Sequence, residues 1–325
     1  MTEKGTIFHE PVLRRLKALE EKGLLAHAYL FVGMKGVGKS STALQFAKFL
    51  NCEVKKKDTF FCNDCPSCIK VNALTHPDVH VIEHDKPESI SIEKIRDMIS
   101  QTQLKPFISS RKVFIIKDAE LLTLEAANAL LKTLEEPPDK SLLILTTSAA
   151  EKNLETIRSR CQTIHFAPSG PDEVQKILIK ENVPSDAAHF LSFFAHGSLG
   201  QARQLQHAGI FDKKNDVIER FLLKDDSEAL LKEVLSSKEE TKLFLDVLLS
   251  WVRDCCLLKS GVKKENLIHA DRLKDLKDFE SRMSLDELTQ ISAEVIKTYG
   301  LLAENFNLKV PLIIIKELIW ARSLK

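Results

Sequence analysis

The chain has 325 residues, and its 47 Lys and Arg residues nearly balance 46 Asp and Glu residues, giving a formal net charge of +1. A chain of this length exceeds the size at which a single hydrophobic core stops growing, so we expect two or three domains. The near-neutral charge argues against a strongly basic nucleic-acid-binding protein. Residues 1–22 lack the apolar core of a signal peptide, and the late apolar run at residues 310–315 is too short to span a bilayer. We therefore expect a cytoplasmic protein without membrane segments.

A glycine-rich loop at residues 33–40 follows a predicted helix (8–25) and a predicted strand (27–32), and precedes a predicted helix (41–50). Its sequence, GMKGVGKS, fits the phosphate-loop pattern G-x-x-x-x-G-K-[ST] in the required strand, loop and helix order. Backbone N–H groups in such a loop surround phosphate oxygens, Lys39 supplies a positive charge, and Ser40 would hold magnesium. The alternative is a glycine-rich turn that binds nothing. The nucleotide interpretation predicts ATP with Mg²⁺ bound by Gly33, Gly36, Gly38, Lys39, Ser40 and Ser41.

Four of the seven cysteines follow the phosphate-loop helix with the spacing C-x9-C-x2-C-x2-C. Thiolates separated by two residues in a tight turn can face one ion, and four thiolates complete a closed tetrahedral zinc site. Such a site leaves no position for a reacting water, so its role would be structural. The alternative is four unrelated reduced cysteines on a surface loop. The zinc interpretation names Cys52, Cys62, Cys65 and Cys68 as ligands.

A second strand is predicted at residues 78–82, a helix at 91–99, and a buried strand from residue 112 that ends in Lys117 and Asp118. In a working phosphate-loop ATPase this strand end carries an aspartate for magnesium and an acidic neighbour that activates water. If Lys117 takes the place of the metal aspartate, a cation replaces a ligand. If Asp118 is the metal residue, Ala119 stands where the second acid belongs. In either alignment one catalytic part is missing.

Three further motifs follow at compatible spacing: the helix NALLKTLEEPP at residues 128–138, the paired threonines Thr146 and Thr147 at the end of a buried strand, and Ser159-Arg160-Cys161. Together with the cysteine cluster, they make residues 28–166 closely resemble the AAA+ clamp-loader subunits of bacterial DNA polymerase III.

The resemblance implies an α/β plus all-α protein. Its parts would be a RecA-like AAA+ nucleotide domain with a zinc module (1–167), a small helical lid (168–208) and a C-terminal helical collar for oligomerisation (209–325).

The resemblance also implies roles for individual residues. Asp118 and Thr147 would belong to the nucleotide site, and Arg160 would be an arginine finger offered in trans to nucleotide on a neighbouring subunit. Motor subunits of the family carry Gly-Ser-x-Arg in the lid, whereas this chain has Gly200 at the arginine position. Arg203, nearly one helical turn further on, is a candidate substitute.

The pattern of retained and lost parts resembles the stator of the clamp loader more than its gamma/tau motor subunits. We expect little or no ATPase activity from the chain alone. The implied partners are gamma/tau motor subunits and delta, with the sliding clamp and primed DNA reached through the assembly. Two alternatives remain open: a gamma/tau-type motor subunit, and a stand-alone P-loop nucleotide switch.

Overall fold

The computed structural model describes residues 9–54, 59–84, 89–224, 228–304 and 307–320. The chain divides into two compact units, Met1–Pro168 and Ser169–Lys325. The three-part division expected from the sequence, with a further boundary at residue 208, stays a prediction. Across the described ranges, no helix combines the length and the apolar character needed to cross a bilayer.

The first unit contains a five-stranded parallel sheet with the order β2-β3-β4-β1-β5 among the described residues. The strands are β1 (Ala28–Val32), β2 (Val79–Ile82), β3 (Lys112–Ile116), β4 (Ser141–Thr147) and β5 (Gln162–His165). The helices of this unit are α1 (Glu10–Glu21), α2 (Lys39–Asn51), α3 (Pro66–Asn72), α4 (Ile92–Thr102), α5 (Leu124–Glu135) and α6 (Glu155–Arg160). The α/β architecture expected for this part of the chain is confirmed.

Alternate side chains of the central strands enter two separate hydrophobic cores, one on each face of the sheet. On β1, Tyr29 and Phe31 join the core shared with α1 and α2, whereas Leu30 joins the core shared with α4 and α5. This period of two is the pattern of a strand covered on both faces. Each fully buried side chain of this size contributes about 1.5–3 kcal/mol to folding. The cores hold the carboxyl ends of β1, β3 and β4 in one fixed arrangement.

The carboxyl edge of the sheet begins at Gly33, directly after β1. A Cβ atom placed on Gly33 would lie 2.5 Å from the carbonyl oxygen of Phe166 and 3.0 Å from its Cβ atom. Phe166 is buried after β5, where its N–H donates to the Val32 carbonyl at 2.7 Å. Only glycine fits this close approach of two backbones.

The second unit is helical throughout its described residues. Its helices are α7 (Pro171–Lys180), α8 (Ser185–Phe194), α9 (Leu199–His207), α10 (Ile210–Val217), α11 (Glu228–Val234), α12 (Lys238–Lys259), α13 (Leu273–Arg282), α14 (Leu285–Ala303) and α15 (Lys309–Trp320). Polar residues fix the helix starts: Ser284 and Glu287 form a reciprocal capping box at α14, and the Ser237 hydroxyl accepts from the Glu240 N–H at α12. Each such cap contributes about 0.5–2 kcal/mol.

The long helix α12 carries the centre of this unit's core. Trp251 is fully buried between the rings of His269 and Phe279, whose centroids lie 5.2 and 6.1 Å away. Asp254, also fully buried, accepts a 2.8 Å hydrogen bond from the His269 N–H and a 2.7 Å bond from Arg253. The core therefore encloses a carboxylate.

Candidate functional site

The loop at residues 33–40 turns sharply at two of its glycines. Gly36 and Gly38 adopt left-handed backbone angles, with φ of 79° and 102°, and Gly38 is the residue that begins α2. L-residues with side chains avoid such angles, so the glycines set the path of the loop. Ser40 and Ser41 follow in the first turn of α2 and are half-buried. The positive end of the helix dipole thus opens at this loop, as anion binding requires.

Lys39 is folded back onto the loop. Its ammonium donates to the carbonyl oxygens of Gly33 at 2.6 Å and Met34 at 2.8 Å, and the residue is 6% exposed. Burial lowers the pKa of Lys39, while the carboxylates of Glu120 and Asp118 act in the opposite direction. A phosphate would have to replace these two carbonyl oxygens as the partner of the ammonium.

The region after β3 clarifies the two alignments that the sequence left open. The Lys117 ammonium pairs with the carboxylate of Glu83, and the Lys117 N–H donates to the Ile82 carbonyl at 2.9 Å. Both partners belong to the end of β2, on the side of β3 remote from β1 and the phosphate loop. Lys117 therefore does not place its charge at the metal position. Asp118 then adopts a left-handed conformation with φ of 50°, and its N–H donates to the Thr146 hydroxyl at 3.3 Å.

Glu120 is a site residue that the sequence reasoning missed. It lies in the 3₁₀ turn Ala119–Leu121, and its Oε1 atom accepts from the Ser148 N–H at 3.0 Å and the Ser148 hydroxyl at 2.5 Å. Burial acts to raise the pKa of Glu120, but these hydrogen bonds outweigh burial and hold the pKa below its ordinary value. The charge of Glu120 in turn acts to raise the pKa of Lys39. The sequence signal for Glu120 is only an acid two residues beyond Asp118.

The threonine pair at the end of β4 joins the strand ends. Thr147 pairs with Val32 in the sheet, and its carbonyl accepts from the Gly33 N–H at 3.2 Å. The Thr147 hydroxyl accepts from the side-chain amide of Asn153 at 2.9 Å. Thr147 therefore lies next to the loop, with its hydroxyl bonded to Asn153; its assignment to the nucleotide site stays a prediction.

A histidine missed by the sequence reasoning ties the start of the described chain to the same loop. His9 donates from Nε2 to the Val37 carbonyl at 2.6 Å, and its ring packs edge-on against Phe166 at 4.8 Å. The contact anchors the loop at Val37, between Gly36 and Gly38.

Arg160 lies at the last position of α6. Its guanidinium donates to the Glu135 carboxylate at 2.5 Å and to the Thr156 carbonyl at 3.0 Å, and one third of the side chain is exposed. The neighbouring Cys161 is buried in the core with α4 and α5, and burial raises its pKa to about 12. The cysteine of the Ser-Arg-Cys motif therefore packs, while the arginine remains accessible.

In the second unit, Ser198 and Gly200 occupy the start of α9. The Ser198 hydroxyl accepts from the Gln201 N–H at 3.2 Å, which makes this serine a helix cap, and Gly200 is exposed. Arg203 forms a two-point ion pair with Glu181, at 2.5 and 3.1 Å. Such a pair holds the guanidinium firmly. Arg203 is therefore already occupied and is a poor substitute for the absent lid arginine.

The structure brings the four predicted cysteine ligands together. All four Sγ atoms lie within 4.8 Å of one another, with 3.7 Å from Cys52 to Cys62 and 4.0 Å from Cys62 to Cys68. Ligands at the Zn–S distance of about 2.3 Å in a tetrahedron are about 3.8 Å apart. The cluster therefore has the size of a zinc tetrathiolate.

Backbone donors around the cluster also suit thiolates. The Cys65 N–H donates to the Cys62 sulfur at 3.3 Å, and the Cys68 N–H donates to Cys65 at 3.4 Å. Burial acts to raise the pKa of Cys62, but backbone N–H donors lower it to about 7. Burial raises the pKa of Cys52 and Cys68, and a bound zinc ion would deprotonate these thiols outright. The donor set fits zinc and can hold it.

A phosphate loop between β1 and α2 of a parallel sheet, with polar groups from β3 and β4 at the same edge, defines a P-loop protein with the AAA+ fold. Comparison with known proteins agrees. The family model "DNA polymerase III, delta subunit" matches residues 8–170, and "DNA polymerase III, delta subunit, C terminal" matches residues 208–321. The chain belongs to this family of DNA polymerase III clamp-loader subunits.

Individual relatives cover most of the chain. DNA polymerase III subunit delta′ of Bacillus subtilis is 29% identical over 316 residues, which are 92% of each protein. DNA polymerase III subunit gamma of Buchnera aphidicola (subsp. Schizaphis graminum) is 32% identical over 276 residues, 76% of this chain and 75% of the relative. A solved gamma subunit-related protein of Thermotoga maritima is similar over 95% of this chain and 99% of its own, with 23% identity and a TM-score of 0.44.

Proposed function

We propose that the chain acts as the delta′ subunit, the stator, of the DNA polymerase III clamp loader in the cytoplasm. It supports ATP-dependent loading of the sliding clamp on primed DNA by presenting Arg160 to nucleotide on a neighbouring gamma/tau subunit. Its further partner in the assembly is delta. The observation that carries this proposal is the position of Arg160, which ends α6 with one third of its side chain exposed.

The remaining parts of the site favour a supporting role over a motor role. The position after β3 carries Lys117, whose charge is directed to Glu83, and the lid position carries Gly200, which has no side chain to contact a phosphate. An arginine supplied in trans stabilises charge on the transferred phosphoryl group and is worth about 10³ to 10⁵ in rate. The chain thus retains Arg160, which serves a neighbour's nucleotide, and lacks the lid arginine and the pair of adjacent acids after β3, which its own ATP hydrolysis would need.

The cysteine cluster supports a structural zinc ion. Its four ligands leave no open coordination position, so the metal would fix the segment between α2 and β2 without taking part in catalysis.

The test is the steady-state ATPase activity of a clamp loader rebuilt from all its subunits. Arg160→Ala should slow hydrolysis at the adjacent site and reduce clamp loading, whereas Lys39→Ala should change hydrolysis little. Arg158→Ala is the matched control, because Arg158 is an exposed arginine on the same helix. Full activity with Arg160→Ala would refute the trans role.

The intact phosphate loop favours one competing function, a gamma/tau-type motor. In that case the isolated chain would hydrolyse ATP and Lys39→Ala would abolish the activity. The stator function predicts an inert isolated chain.

A further inference from the structure

The metal position of the chain's own phosphate loop needs a carboxylate, and two acids follow β3. Magnesium in nucleotide sites is held by one or two carboxylates together with phosphate oxygens and waters. Asp118 is the first acid after the strand, and Glu120 is two residues further. Their contacts distinguish them.

The backbone turn at Asp118 redirects the chain. Because β3 and β4 are adjacent, the left-handed turn at Asp118 and the following 3₁₀ turn carry the chain from the end of β3 toward the end of β4. The Asp118 N–H is bonded to the Thr146 hydroxyl on β4. The next acid, Glu120, therefore reaches the β4 end at Ser148.

Strand β4 is the neighbour of β1, so the end of β4 lies next to the phosphate loop. Thr147, which precedes Ser148, accepts a hydrogen bond from the Gly33 N–H at the first position of that loop. A side chain anchored on Ser148 is thereby held against the loop. Glu120 has this anchor in both the N–H and the hydroxyl of Ser148.

The two carboxylate oxygens of Glu120 have different surroundings. Oε1 takes both bonds from Ser148, whereas Oε2 is buried and has no hydrogen-bond partner of ordinary geometry among the described residues. The Thr147 side chain also acts to lower the pKa of Glu120. An unpaired buried carboxylate oxygen is costly unless a cation completes it. Lys39 is the buried cation of the loop, 6% exposed. The carboxylate of Glu120 acts to raise the pKa of Lys39 more strongly than that of Asp118 does. Oε2 is thus the Glu120 oxygen with acceptor capacity left for a cation.

We propose that Glu120, and not Asp118, supplies the carboxylate for Mg²⁺ when nucleotide binds the loop at residues 33–40. The chain would then bind magnesium nucleotide in its own site, with the Lys117 charge paired to Glu83 on the side of β3 remote from the loop. This inference goes beyond the proposed function, which concerns Arg160 and a neighbour's nucleotide. If the Arg160 proposal fails, magnesium-dependent binding of nucleotide to this chain can still be measured, and the reverse also holds.

The experiment is an anisotropy titration of a fluorescent ADP analogue with the full chain, with excess MgCl₂ and in magnesium-free buffer. No chelator is added, so that zinc stays at the cysteine cluster. For wild type, Mg²⁺ should tighten binding of the analogue, because the metal bridges the phosphate oxygens and the protein carboxylate. Glu120→Gln should lose this gain, whereas Asp118→Asn, which changes the rival acid, should keep it.

A second variant guards against misfolding. Glu120→Asp keeps the charge on a shorter side chain and should retain part of the gain, and thermal melting of every variant without nucleotide reports its folding. The wild-type comparison with and without Mg²⁺ needs no variant. The proposal is overturned if wild type does not bind the analogue or binds it equally without Mg²⁺, or if Glu120→Gln keeps the gain.

Discussion

The guanidinium of Arg160 is bonded to the carboxylate of Glu135, the last residue of α5, at 2.5 Å. The arginine that we propose for a neighbour's nucleotide is therefore held by its own subunit. Both side chains are substantially exposed, 33% for Arg160 and 49% for Glu135. Water screens such a pair, so its strength is about 0–1 kcal/mol. The pair can orient the arginine without preventing its transfer to a phosphate.

Glu135→Gln tests this weak restraint. The substitution removes the charge but keeps the shape, so we expect the free energy of unfolding of the isolated chain to fall by no more than about 1 kcal/mol. ATPase activity of the rebuilt complex should stay at the wild-type level or rise slightly, because the arginine is released. A loss of activity as large as that of Arg160→Ala would instead make Glu135 part of the interface.

Zinc removal should destabilise the first unit. We expect about one zinc ion per chain by elemental analysis, since four thiolates form a closed site. Cys68→Ser, at a fully buried ligand, should lose the metal and lower the melting temperature. The control is Cys256→Ser, because Cys256 lies in α12, outside the cluster, and should leave the zinc content unchanged. Equal melting temperatures with and without zinc would contradict a structural role.

Gly33→Ala should disrupt the phosphate loop. Its Cβ atom would meet the Phe166 carbonyl oxygen at 2.5 Å, a backbone atom that cannot rotate away. Overpacking of this kind costs about 1–3 kcal/mol, and here the shift would move the loop itself. We expect a lower melting temperature together with loss of nucleotide binding. Unchanged binding would show that the loop tolerates the displacement.

Gly300→Ala should have the opposite effect. Gly300 is exposed within α14, and nothing lies within 4 Å of a Cβ atom placed there. Replacing glycine by alanine inside a helix stabilises it by about 0.5–1 kcal/mol. Thermal melting of the isolated chain should show the gain. A lower melting temperature would reveal a contact of Gly300 that the structure does not show.

The buried carboxylate of Asp254 predicts a dependence of stability on pH. Burial raises its pKa from 3.8 to about 6, although the His269 N–H and Arg253 act to lower it. The folded state therefore holds the proton more tightly than the unfolded state, and stability is lost as pH rises from about 4 to 6. At about 1.4 kcal/mol for each pKa unit, this loss is about 3 kcal/mol.

Asp254→Asn should remove the part of the pH dependence of the free energy of unfolding that comes from this carboxyl. Urea unfolding, followed by the fluorescence of the buried Trp251, gives the free energy of unfolding of wild type and variant at pH 4.5 and pH 7. The difference between the two proteins should shift in favour of the variant by about 2 kcal/mol between these pH values, because pH 4.5 already lies above the unfolded pKa. A difference that is independent of pH would mean that Asp254 is already ionised at the lower value.

The local parts of the site were predictable from the sequence because their chemistry lies in short segments. The glycines of the phosphate loop, Lys39 and the cysteine spacing each specify a local geometry, and the fold class follows from alternating strands and helices. Glu120 could not be found this way, because its role depends on two facts that spacing does not encode. One is that β4, not β3, adjoins β1, and the other is the left-handed turn at Asp118.

The same limit applies to charged pairs. Lys117 looked like an obstacle to metal binding until the structure paired it with Glu83, 34 residues earlier. The partner of Arg160, Glu135, is 25 residues away in the NALLKTLEEPP motif. That motif predicts a helix ended by prolines and gives no sign of an ion pair. Pairing between distant surface charges depends on side-chain placement, which periodicity cannot supply.

Helix α2 begins at the phosphate loop and ends at Asn51, and the next residue is the zinc ligand Cys52. One rigid rod, about 20 Å long at 1.5 Å per residue, therefore connects the two sites. A single inserted residue would turn Cys52 by about 100° around the helix axis and carry its sulfur away from the other three. Single residues of α2 can be substituted, but an insertion or deletion in α2 would disrupt either the phosphate loop or the cysteine cluster.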